Sequence, residues 1–449
     1  MFDIKFWPEE EAKTVNDTPF MLSAFPRAIV HLDGDAFFTS VEQALVPALK
    51  GRPLVTGRER GIIACASYEA KALGIARGMT LSDARQRCPG LIILPSDYET
   101  YGLYSRRMFN IMRRFTPVVE EYSIDEGFAD LTGLRRLHHS SYEDIARAMQ
   151  AALHRELGLT VSVGLAPSKS LAKLGSKFRK PAGFTAVAGS EIHRFLQGIA
   201  LEKVWGFGPN TVNLLEKQGL RTAFDFTARP EPWAGRLLGK IGRELWAELR
   251  GTSVYKVNPD PLKPQATIVK SKTFTPPSRE RSFVYAQLVR NVELAFARAR
   301  QFKLRPRTVG VVLRRQDFRH DGLEAKLDRA TAATAEALPL VHELFDRVYR
   351  EGGEYRATLV ALGALEDDLH EQLELFEDRP KIEALSRLTR AVDEVNGHFG
   401  KQTVRSAACL PLADKPCMER DAPPERRAVP LAGETARRRL AIPRMTVSV

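Results

Sequence analysis

The sequence predicts an α+β protein of several domains, and two observations support this fold class. Short apolar runs alternate with helical stretches over residues 27–190, and the same alternation returns over 268–363. Between these regions, residues 199–250 carry only helical patterns around the turn WGFGP (205–209). A chain of 449 residues is long enough for two to four domains.

In the first domain, apolar runs bounded by turn residues predict strands, and stretches with helical spacing predict helices. The strands are expected at AIVHL (28–32), GIIACASY (61–68), PVVEEYSIDEGFADLTGL (117–134, two strands with a bend near 123–126) and LTVSVGLA (159–166). The helices are expected at FFTSVEQALVPAL (37–49), EAKALG (69–74), 104–115, SYEDIARAMQAALHREL (141–157) and SKSLAKLGSKF (168–178).

The second α+β domain has the predicted order strand, helix, strand, helix, strand. Its strands are expected at IVKSKTF (268–274), TVGVVLRR (308–315) and YRATLVALGAL (355–365), and its helices at FVYAQLVRNVELAFARARQF (283–302) and LPLVHELFDRVYR (338–350). A further helix is predicted over 381–396, and the Pro-, Ala- and Arg-rich tail from Pro411 is predicted to be disordered.

The two ends and the cysteines indicate where the protein works. Residues 1–26 are predicted to be a loose extension; they lack the long apolar run of a signal peptide, and no stretch approaches the length of a membrane span. The four cysteines show no C-x-x-C zinc spacing and no disulfide framework. These features favour the reducing cytoplasm and no membrane partner.

The charge of the chain favours a polyanionic partner. The formal net charge is +12. Residues 268–363 hold 18 Lys and Arg against 11 Asp and Glu, a net charge of +7 for that domain alone. A domain this basic favours contact with nucleic-acid phosphates over an ordinary solvated face.

Three carboxylates form a candidate metal site. Asp33 ends a predicted strand, and Asp125 and Glu126 lie at the bend between two others. An all-oxygen set without His or Cys suits Mg²⁺ or Mn²⁺, and two such ions can clamp an in-line phosphoryl transfer. Consecutive strand residues point to opposite faces, so Asp125 and Glu126 can share one centre only if the bend breaks that alternation. From the pattern alone, solvated turn residues remain the simpler interpretation.

Four segments in this order resemble the signature segments of Y-family DNA polymerases. They are HLDGDAFFTSVE (31–42), SYEAKALGI (67–75), YSIDEGFADLTG (122–133) and LAKLGSKFRKPAG (171–183). The resemblance is strongest to the bacterial polymerase IV branch and extends from about residue 27 to 376. It implies a right-hand polymerase with palm and fingers in 27–190, a helical thumb with a helix-hairpin-helix in 191–262, an α+β little finger at 268–363 and a tail over 364–449.

The resemblance also implies a function and a set of catalytic residues. The chain would add deoxynucleotides to a primer 3′ end with low fidelity, in translesion synthesis and DNA repair. Asp33, Asp125 and Glu126 would bind two Mg²⁺ ions together with the backbone carbonyl of Gly34, and Glu126 would be the catalytic residue. Asp35 would hold structure rather than metal. Relatives mostly have alanine where this chain has Gly127.

The same resemblance assigns residues to the nucleotide. Phe38 matches the steric gate, a ring that excludes a 2′-hydroxyl, and Phe37 is its neighbour in the nucleotide site; the alternative is that both rings belong to the core. Tyr68 and Lys71 resemble fingers residues that touch the triphosphate, although many relatives carry arginine at the second position. Lys180 resembles the palm lysine that neutralises phosphates. Without the motif, a solvated surface charge is the better interpretation of each lysine.

DNA and clamp contacts complete these expectations. Gly206 and Gly208 resemble thumb glycines that let backbone amides approach a DNA phosphate. Seven basic residues of the little finger are candidates for DNA contact, and of the adjacent Arg314 and Arg315 only one can face DNA: Lys270, Lys272, Arg279, Arg281, Arg314, Arg315 and Arg319. The pentapeptide QLELF (372–376) resembles a sliding-clamp-binding peptide, with Gln372, Leu373, Leu375 and Phe376 as its contacts.

Two other functions compete with an active, monomeric polymerase. One is a non-catalytic adaptor that binds DNA and the clamp through a polymerase shell; the presence of all three carboxylates argues against it. The other is a nucleotidyl cyclase with a similar palm, which has no use for a basic DNA-binding domain. Residues 391–405 also resemble a C-terminal piece of the polymerase V catalytic subunit, so the subfamily stays open.

Overall fold

The computed structural model describes residues 18–260, 266–368, 378–399 and 402–412. The described residues up to 260 form one compact unit, and those from 266 onward form a second. The peptide QLELF lies outside the described residues. Within the described part of the chain, no helix is long and apolar enough to cross a membrane.

The first unit contains short strands that alternate with helices. In chain order they are β1 Ile29–Gly34, β2 Leu54–Thr56, β3 Cys65–Ala66, β4 Ile92–Leu94, β5 Val119–Glu121, β6 Glu126–Asp130, β7 Val161–Ala166 and β8 Phe184–Ala186. Its helices are α1 Phe37–Leu45, α2 Tyr68–Ala72, α3 Leu81–Arg87, α4 Tyr98–Arg113, α5 Arg135–His138, α6 Tyr142–Leu157, α7 Lys169–Phe178, α8 Ile192–Gln197, α9 Pro209–Lys217, α10 Ala223–Ala228 and α11 Glu231–Leu249.

The main sheet of this unit has the strand order β5-β6-β1-β7-β8. One face carries Val30 and Leu32, which pack against α4 and α6. The other face carries Ile29, His31 and Asp33, because successive strand residues alternate sides. Helix α7 lies directly on this second face, since a Cβ on Gly164 of β7 would come within 2.0 Å of the Ala172 carbonyl oxygen.

A smaller sheet of order β3-β2-β4 packs against α2 and α3. Helices α8 to α11 form a helical module whose apolar side chains join the core on the α7 side of the main sheet. Helix α11 is broken at Gly239, which has a left-handed φ of 68°.

Residues 18–26 are packed rather than loose, which corrects the expectation for this part of the extension. The Phe20 ring stacks on Phe224 of α10 with centroids 5.9 Å apart, and the Arg250 guanidinium lies 4.1 Å above it. The amide of Gly189 donates a hydrogen bond to the Ala24 carbonyl at 2.7 Å. The aromatic residues within a polar segment are what hold it to the body.

The second unit is a four-stranded antiparallel sheet with helices on one face. Its strands are β9 Ile268–Ser278, β10 Leu304–Arg315, β11 His320–Lys326 and β12 Tyr355–Asp367, in the order β11-β10-β12-β9. Its helices are α12 Arg281–Gln301, α13 Thr334–Val348 and α14 Arg379–Phe399. The sequence missed β11, an edge strand with the weakly apolar sequence HDGLEAK and no buried residue.

Residues 402–412 fold back onto α12. Glu293 accepts hydrogen bonds from Gln402 and from the Ser406 amide, and Cys409 is fully buried. Pro411, where disorder was predicted to begin, lies in a short 3₁₀ turn over Ala407–Leu412. That part of the prediction is therefore wrong for the described residues up to 412.

Candidate active site

Asp33, Asp125 and Glu126 come together at one end of the main sheet. Asp33 of β1 pairs directly with Glu126 of β6 in the antiparallel register. Asp125 precedes β6 in the β5–β6 turn, and its carbonyl accepts a hydrogen bond from the Gly34 amide at 2.8 Å. Asp125 therefore lies in the turn and not in the strand. The alternation of side chains between the two faces of a strand does not apply to it, so Asp125 and Glu126 can serve one centre.

Each carboxylate has a different partner. Lys180 donates to Asp33 Oδ1 at 2.5 Å, and Lys173 of α7 donates to Glu126 Oε2 at 2.8 Å. The Ser123 hydroxyl donates to Asp125 Oδ1 at 2.7 Å.

These partners give neighbouring carboxylates opposite pKa shifts. Burial raises the pKa of Asp125, and the charges of Asp33 and Glu126 add to that rise. Burial also opposes the charge on Glu126, but His31 and Lys173 outweigh it and hold the pKa of Glu126 at about 2. Glu126 is therefore ionised at any working pH, and an added cation would favour the charged form of Asp125.

Asp35 is fully buried and is held by groups from several elements. Its carboxylate accepts hydrogen bonds from the Ser162 hydroxyl at 2.8 Å, the Ala182 amide at 2.7 Å and the Tyr68 hydroxyl at 3.3 Å. With these contacts, Asp35 joins β1, β7 and the loop that carries Lys180.

His31 and Lys173 belong to the site, although sequence reasoning did not single them out. His31 is fully buried, its Nδ1 lies 2.7 Å from the Ser176 hydroxyl, and its Nε2 lies 3.3 Å from Glu126 Oε2. Burial lowers the pKa of His31, which favours the neutral ring. Lys173 and Ser176 lie in the segment 171–183. The sequence signal that could have identified both is their i, i+3 spacing, which places them on one face of the predicted helix.

Gly127 is explained by packing. A Cβ at this position would meet the Phe109 ring at 2.5 Å and the Glu120 carbonyl oxygen at 2.7 Å. The buried Phe109 ring occupies the space that an alanine methyl would need. The departure from alanine is therefore a local compensation that leaves the carboxylates in place.

The two adjacent phenylalanines of α1 have different surroundings. Phe37 is buried, whereas Phe38 is half-buried and stacks on Tyr101 of α4 with centroids 4.4 Å apart. The Tyr101 hydroxyl donates to Glu42 at 2.7 Å, which fixes the ring beneath Phe38. Phe38 thus presents an aromatic surface that is supported by the Tyr101 ring, while Phe37 is a core residue. The roles of both at a nucleotide remain predictions.

Tyr68 and Lys71 lie next to each other on α2. The exposed Lys71 ammonium lies 4.2 Å above the Tyr68 ring, and Tyr68 reaches Asp35. This contact links the smaller sheet to the loop that follows Asp33. The Lys71 side chain is exposed. Its contact with a phosphate stays a prediction.

The turn WGFGP precedes α9. Gly206 has a left-handed φ of 98°, a backbone conformation that favours glycine. A Cβ on Gly208 would meet nothing within 4 Å, so the backbone at the start of α9 is open to approach. Contact with a phosphate at this point remains a prediction.

In the second unit, the predicted DNA-binding residues fall into different environments. Arg279, Arg281 and Arg315 lie within ion-pair distance of Glu354, Asp346 and Asp321 respectively. Lys270 and Lys272 occupy every second position of β9 together with Ile268 and Phe274, so all four lie on the same face of the strand. Ile268 and Phe274 belong to the core beneath the helices. The strand positions of the two lysines place them on the helix-covered side of an edge strand, and the prediction of DNA contact stays untested for them.

Arg314 differs from its neighbour Arg315. It is exposed on the sheet face that carries no helix, and its guanidinium lies 4.9 Å from the exposed Phe318 ring. A β-bulge at Arg356 of β12 directs a second guanidinium onto the same ring at 4.5 Å. Exposed Arg319 lies at the end of the same hairpin, 4.0 Å from Asp317.

The residues of the carboxylate site fit a divalent metal in their chemistry. Asp33, Asp125 and Glu126 offer only oxygen ligands, as Mg²⁺ prefers. As the side chains stand, no group of three or more carboxylate, imidazole or thiol side chains in the described ranges is arranged to hold an ion. Lys180 and Lys173 supply the positive charge instead, so a bound metal would replace the lysine contact of Asp33.

Comparisons with known proteins show the family of the chain. The impB/mucB/samB family matches residues 32–177, and the C-terminal domain of the same family matches residues 265–375. The chain is 33% identical over 388 residues to a DNA polymerase IV of Moorella thermoacetica, covering 85% of this chain and 96% of that protein. It is 32% identical over 359 residues to a DNA polymerase IV of Streptococcus pyogenes serotype M1, covering 79% and 96%.

Solved structures agree in fold. A Y-family DNA polymerase chimera of Dbh and Dpo4 superposes with a TM-score of 0.63 at 24% identity, over 76% of this chain and 99% of the chimera. An insertion ternary complex of Dbh DNA polymerase gives a TM-score of 0.51 at 23% identity, with the same coverage.

Proposed function

The chain belongs to the impB/mucB/samB family and is a Y-family DNA polymerase of the polymerase IV kind, and we propose that Asp33, Asp125 and Glu126 are the carboxylates that serve its metal-dependent chemistry. It is a low-fidelity, template-directed enzyme of translesion synthesis that uses DNA and deoxynucleoside triphosphates. The observation that carries the proposal for the site is the pairing of Asp33 with Glu126 at the ends of two adjacent strands, beside Asp125.

Two Mg²⁺ ions, or Mn²⁺, are the proposed cofactors, held by these carboxylates and the Gly34 carbonyl. When bound, the ions would stabilise charge on the attacking and leaving oxygens of the phosphoryl transfer. The chain's own residues position and charge the site for this step. Asp35 anchors the loops around the site, and Glu126 remains ionised throughout.

Lys180 has the clearest role among the cations. Its side chain is 26% exposed and contacts Asp33, so it can turn towards a triphosphate once Asp33 takes another partner. Tyr68 and Lys71 would contact the same phosphates from α2. Phe38, braced by Tyr101, would lie under the sugar and exclude a 2′-hydroxyl.

The remaining parts of the proposal concern the duplex and the clamp. Palm and fingers would occupy 27–190, the thumb 191–262 and the little finger 268–363. DNA would contact Gly206, Gly208 and Arg314, which lies on the open face, the sheet face that carries no helix. The peptide 372–376 would bind a bacterial sliding clamp. The protein would act as a monomer in the cytoplasm.

Primer extension tests the proposed site. The protein is incubated with a primer, a defined template, undamaged or with a single lesion, and the four deoxynucleotides, first with EDTA and then with increasing Mg²⁺. Extension that requires the metal and fails in Asp125→Asn would support the site. Metal-dependent extension by Asp125→Asn at the wild-type rate would reject Asp125 as a ligand.

A further inference from the structure

Lys173 is a buried cation whose charge faces the proposed metal site. Its side chain is 5% exposed, and its ammonium contacts Glu126 Oε2 at 2.8 Å. The ring of Tyr122 lies 4.2 Å from the ammonium, and the ring of Trp205 lies 5.4 Å from it. The Lys173 side chain is thus buried against these rings, whereas the Lys180 side chain is 26% exposed.

The contact uses only one of the two carboxylate oxygens. Lys173 and His31 both approach Glu126 Oε2, and within the described part of the chain no hydrogen bond to Oε1 is found. A carboxylate pinned at one oxygen has little freedom to rotate, because its partner is held by a helix docked on the sheet. Glu126 is thereby left with one oxygen for a metal ion.

We propose that Lys173 is a positioning residue that makes Glu126 a single-oxygen ligand and weakens the affinity of the resting site for divalent cations. The inference rests on the proposed metal site. The buried ammonium repels an incoming cation and competes for Glu126, so metal binds well only when a triphosphate adds its own charge. Asp33 and its mobile partner Lys180 offer no such permanent restraint.

The chain offers a matched control one helical turn away. Lys169 lies on the same helix with a 6% exposed side chain, and it pairs with Glu120 at 2.7 Å. Its ammonium also lies 4.5 Å from an aromatic ring, that of Phe128. Lys169 thus reproduces the burial, the ion pair and the cation–π contact of Lys173 without touching a site carboxylate.

The test measures binding of Mn²⁺ alone, by electron paramagnetic resonance of the free ion, together with the rate of single-nucleotide addition. We expect Lys173→Met to bind Mn²⁺ about tenfold more tightly, because a nearby positive charge is gone. Its rate of addition should fall about tenfold or more, because Glu126 loses its orientation. Lys169→Met should keep the wild-type affinity for Mn²⁺.

Two further variants separate charge from orientation and guard against a folding defect in Lys173→Met. Lys173→Gln keeps a hydrogen-bond donor without the charge, so it should bind Mn²⁺ more tightly and retain most of the rate. Lys173→Arg keeps the charge and should retain the wild-type affinity for Mn²⁺. Circular dichroism melting establishes which variants are folded.

The outcomes are distinguishable. An affinity for Mn²⁺ that is unchanged or weaker in both Lys173→Met and Lys173→Gln would overturn the inference, as would equal losses of rate in Lys173→Met and Lys169→Met. If Asp125→Asn binds Mn²⁺ as the wild type does, the proposed metal site itself fails, independently of Lys173.

Discussion

At the residue scale, the active-site carboxylates differ in how their charges are compensated. Glu126 is paired with a buried lysine and is stabilised in its charged form, whereas Asp125 has a serine and two acidic neighbours. Asp35 is satisfied by hydrogen bonds within the fold. In the absence of metal, these differences should appear as differences in protein stability.

Glu126→Gln and Asp125→Asn should change the metal-free free energy of unfolding in opposite directions. Glu126→Gln leaves Lys173 buried without a charge partner and should cost about 2 kcal/mol. Asp125→Asn removes a destabilised charge and should raise the free energy of unfolding. Urea unfolding at pH 7 with EDTA measures both, and shifts of the same sign would contradict this description of the site.

The effect of Glu126 should also depend on pH. Its folded pKa of about 2 lies below the ordinary value of 4.5, so its stabilising contribution is fully present above pH 4.5 and is lost as the pH falls towards 2. The difference between wild type and Glu126→Gln should therefore be constant from pH 7 to pH 5 and shrink below that range.

Phe38→Ala should admit ribonucleotides. Removing the ring opens space for a 2′-hydroxyl, and the loss of discrimination should be roughly a hundredfold, the scale of a steric filter. The ratio of kcat/KM for dCTP and CTP opposite a template guanine measures it, with Phe37→Leu as a control that preserves the core. Unchanged discrimination in Phe38→Ala would locate the gate elsewhere.

The resemblance to Y-family polymerases singled out the carboxylates and Phe38 as predicted site residues, but not the residues that support them. Asp33, Asp125 and Glu126 belong to short segments whose order is distinctive. Lys173 was not singled out, because its burial depends on α7 lying against β7 at Gly164, a contact between segments of the chain. Tyr101 likewise stacks on Phe38 from a helix that follows it by some sixty residues.

At the scale of elements, β1 and β7 were predictable because apolar residues dominate β1 and alternate along β7. β1 and β7 are buried along their whole length. Three strands of three residues each, β2, β4 and β8, were not predicted, and β11 was missed because it is an exposed edge strand. Such elements depend on pairing with their neighbours rather than on their own composition.

The β10–β11 hairpin gives the sharpest test of DNA contact by the second unit. Arg314→Ala should weaken binding of primer-template about tenfold and lower the salt slope by about one, as expected for one lost phosphate contact. Arg315→Ala is the matched control, because Arg315 lies 3.6 Å from Asp321. Fluorescence anisotropy over a range of salt measures both, and equal losses would show that the open face is not the DNA-binding face.

At the scale of the whole molecule, a catalytic unit and a basic unit are joined in one chain, as the family match at both ends of the chain indicates. Sequence patterns predicted a second α+β domain from the return of strand patterns at about residue 268. They did not predict that residues 402–412 fold onto α12. The packing of that segment depends on Glu293, whose partners are more than a hundred residues distant.

Replacing Leu375 and Phe376 by alanine should abolish stimulation by a sliding clamp and leave unaided synthesis unchanged. The two apolar side chains would anchor the peptide in a groove of the clamp, and their loss removes only the increase in effective concentration that tethering provides. Extension of one primer with and without loaded clamp measures this. Equal stimulation of wild type and variant would show that 372–376 is not the tether.

The most direct test of the central claim is single-turnover addition of one deoxynucleotide by Asp33→Asn, Asp125→Asn and Glu126→Gln, with DNA affinity measured in parallel. Each variant should lose a factor on the order of a thousand in rate, because each removes a ligand from the centre that stabilises the transferring phosphoryl group. Each should bind primer-template within about threefold of wild type, since the proposed DNA contacts lie elsewhere. A variant that adds nucleotides at more than about a tenth of the wild-type rate would contradict the assignment of that carboxylate.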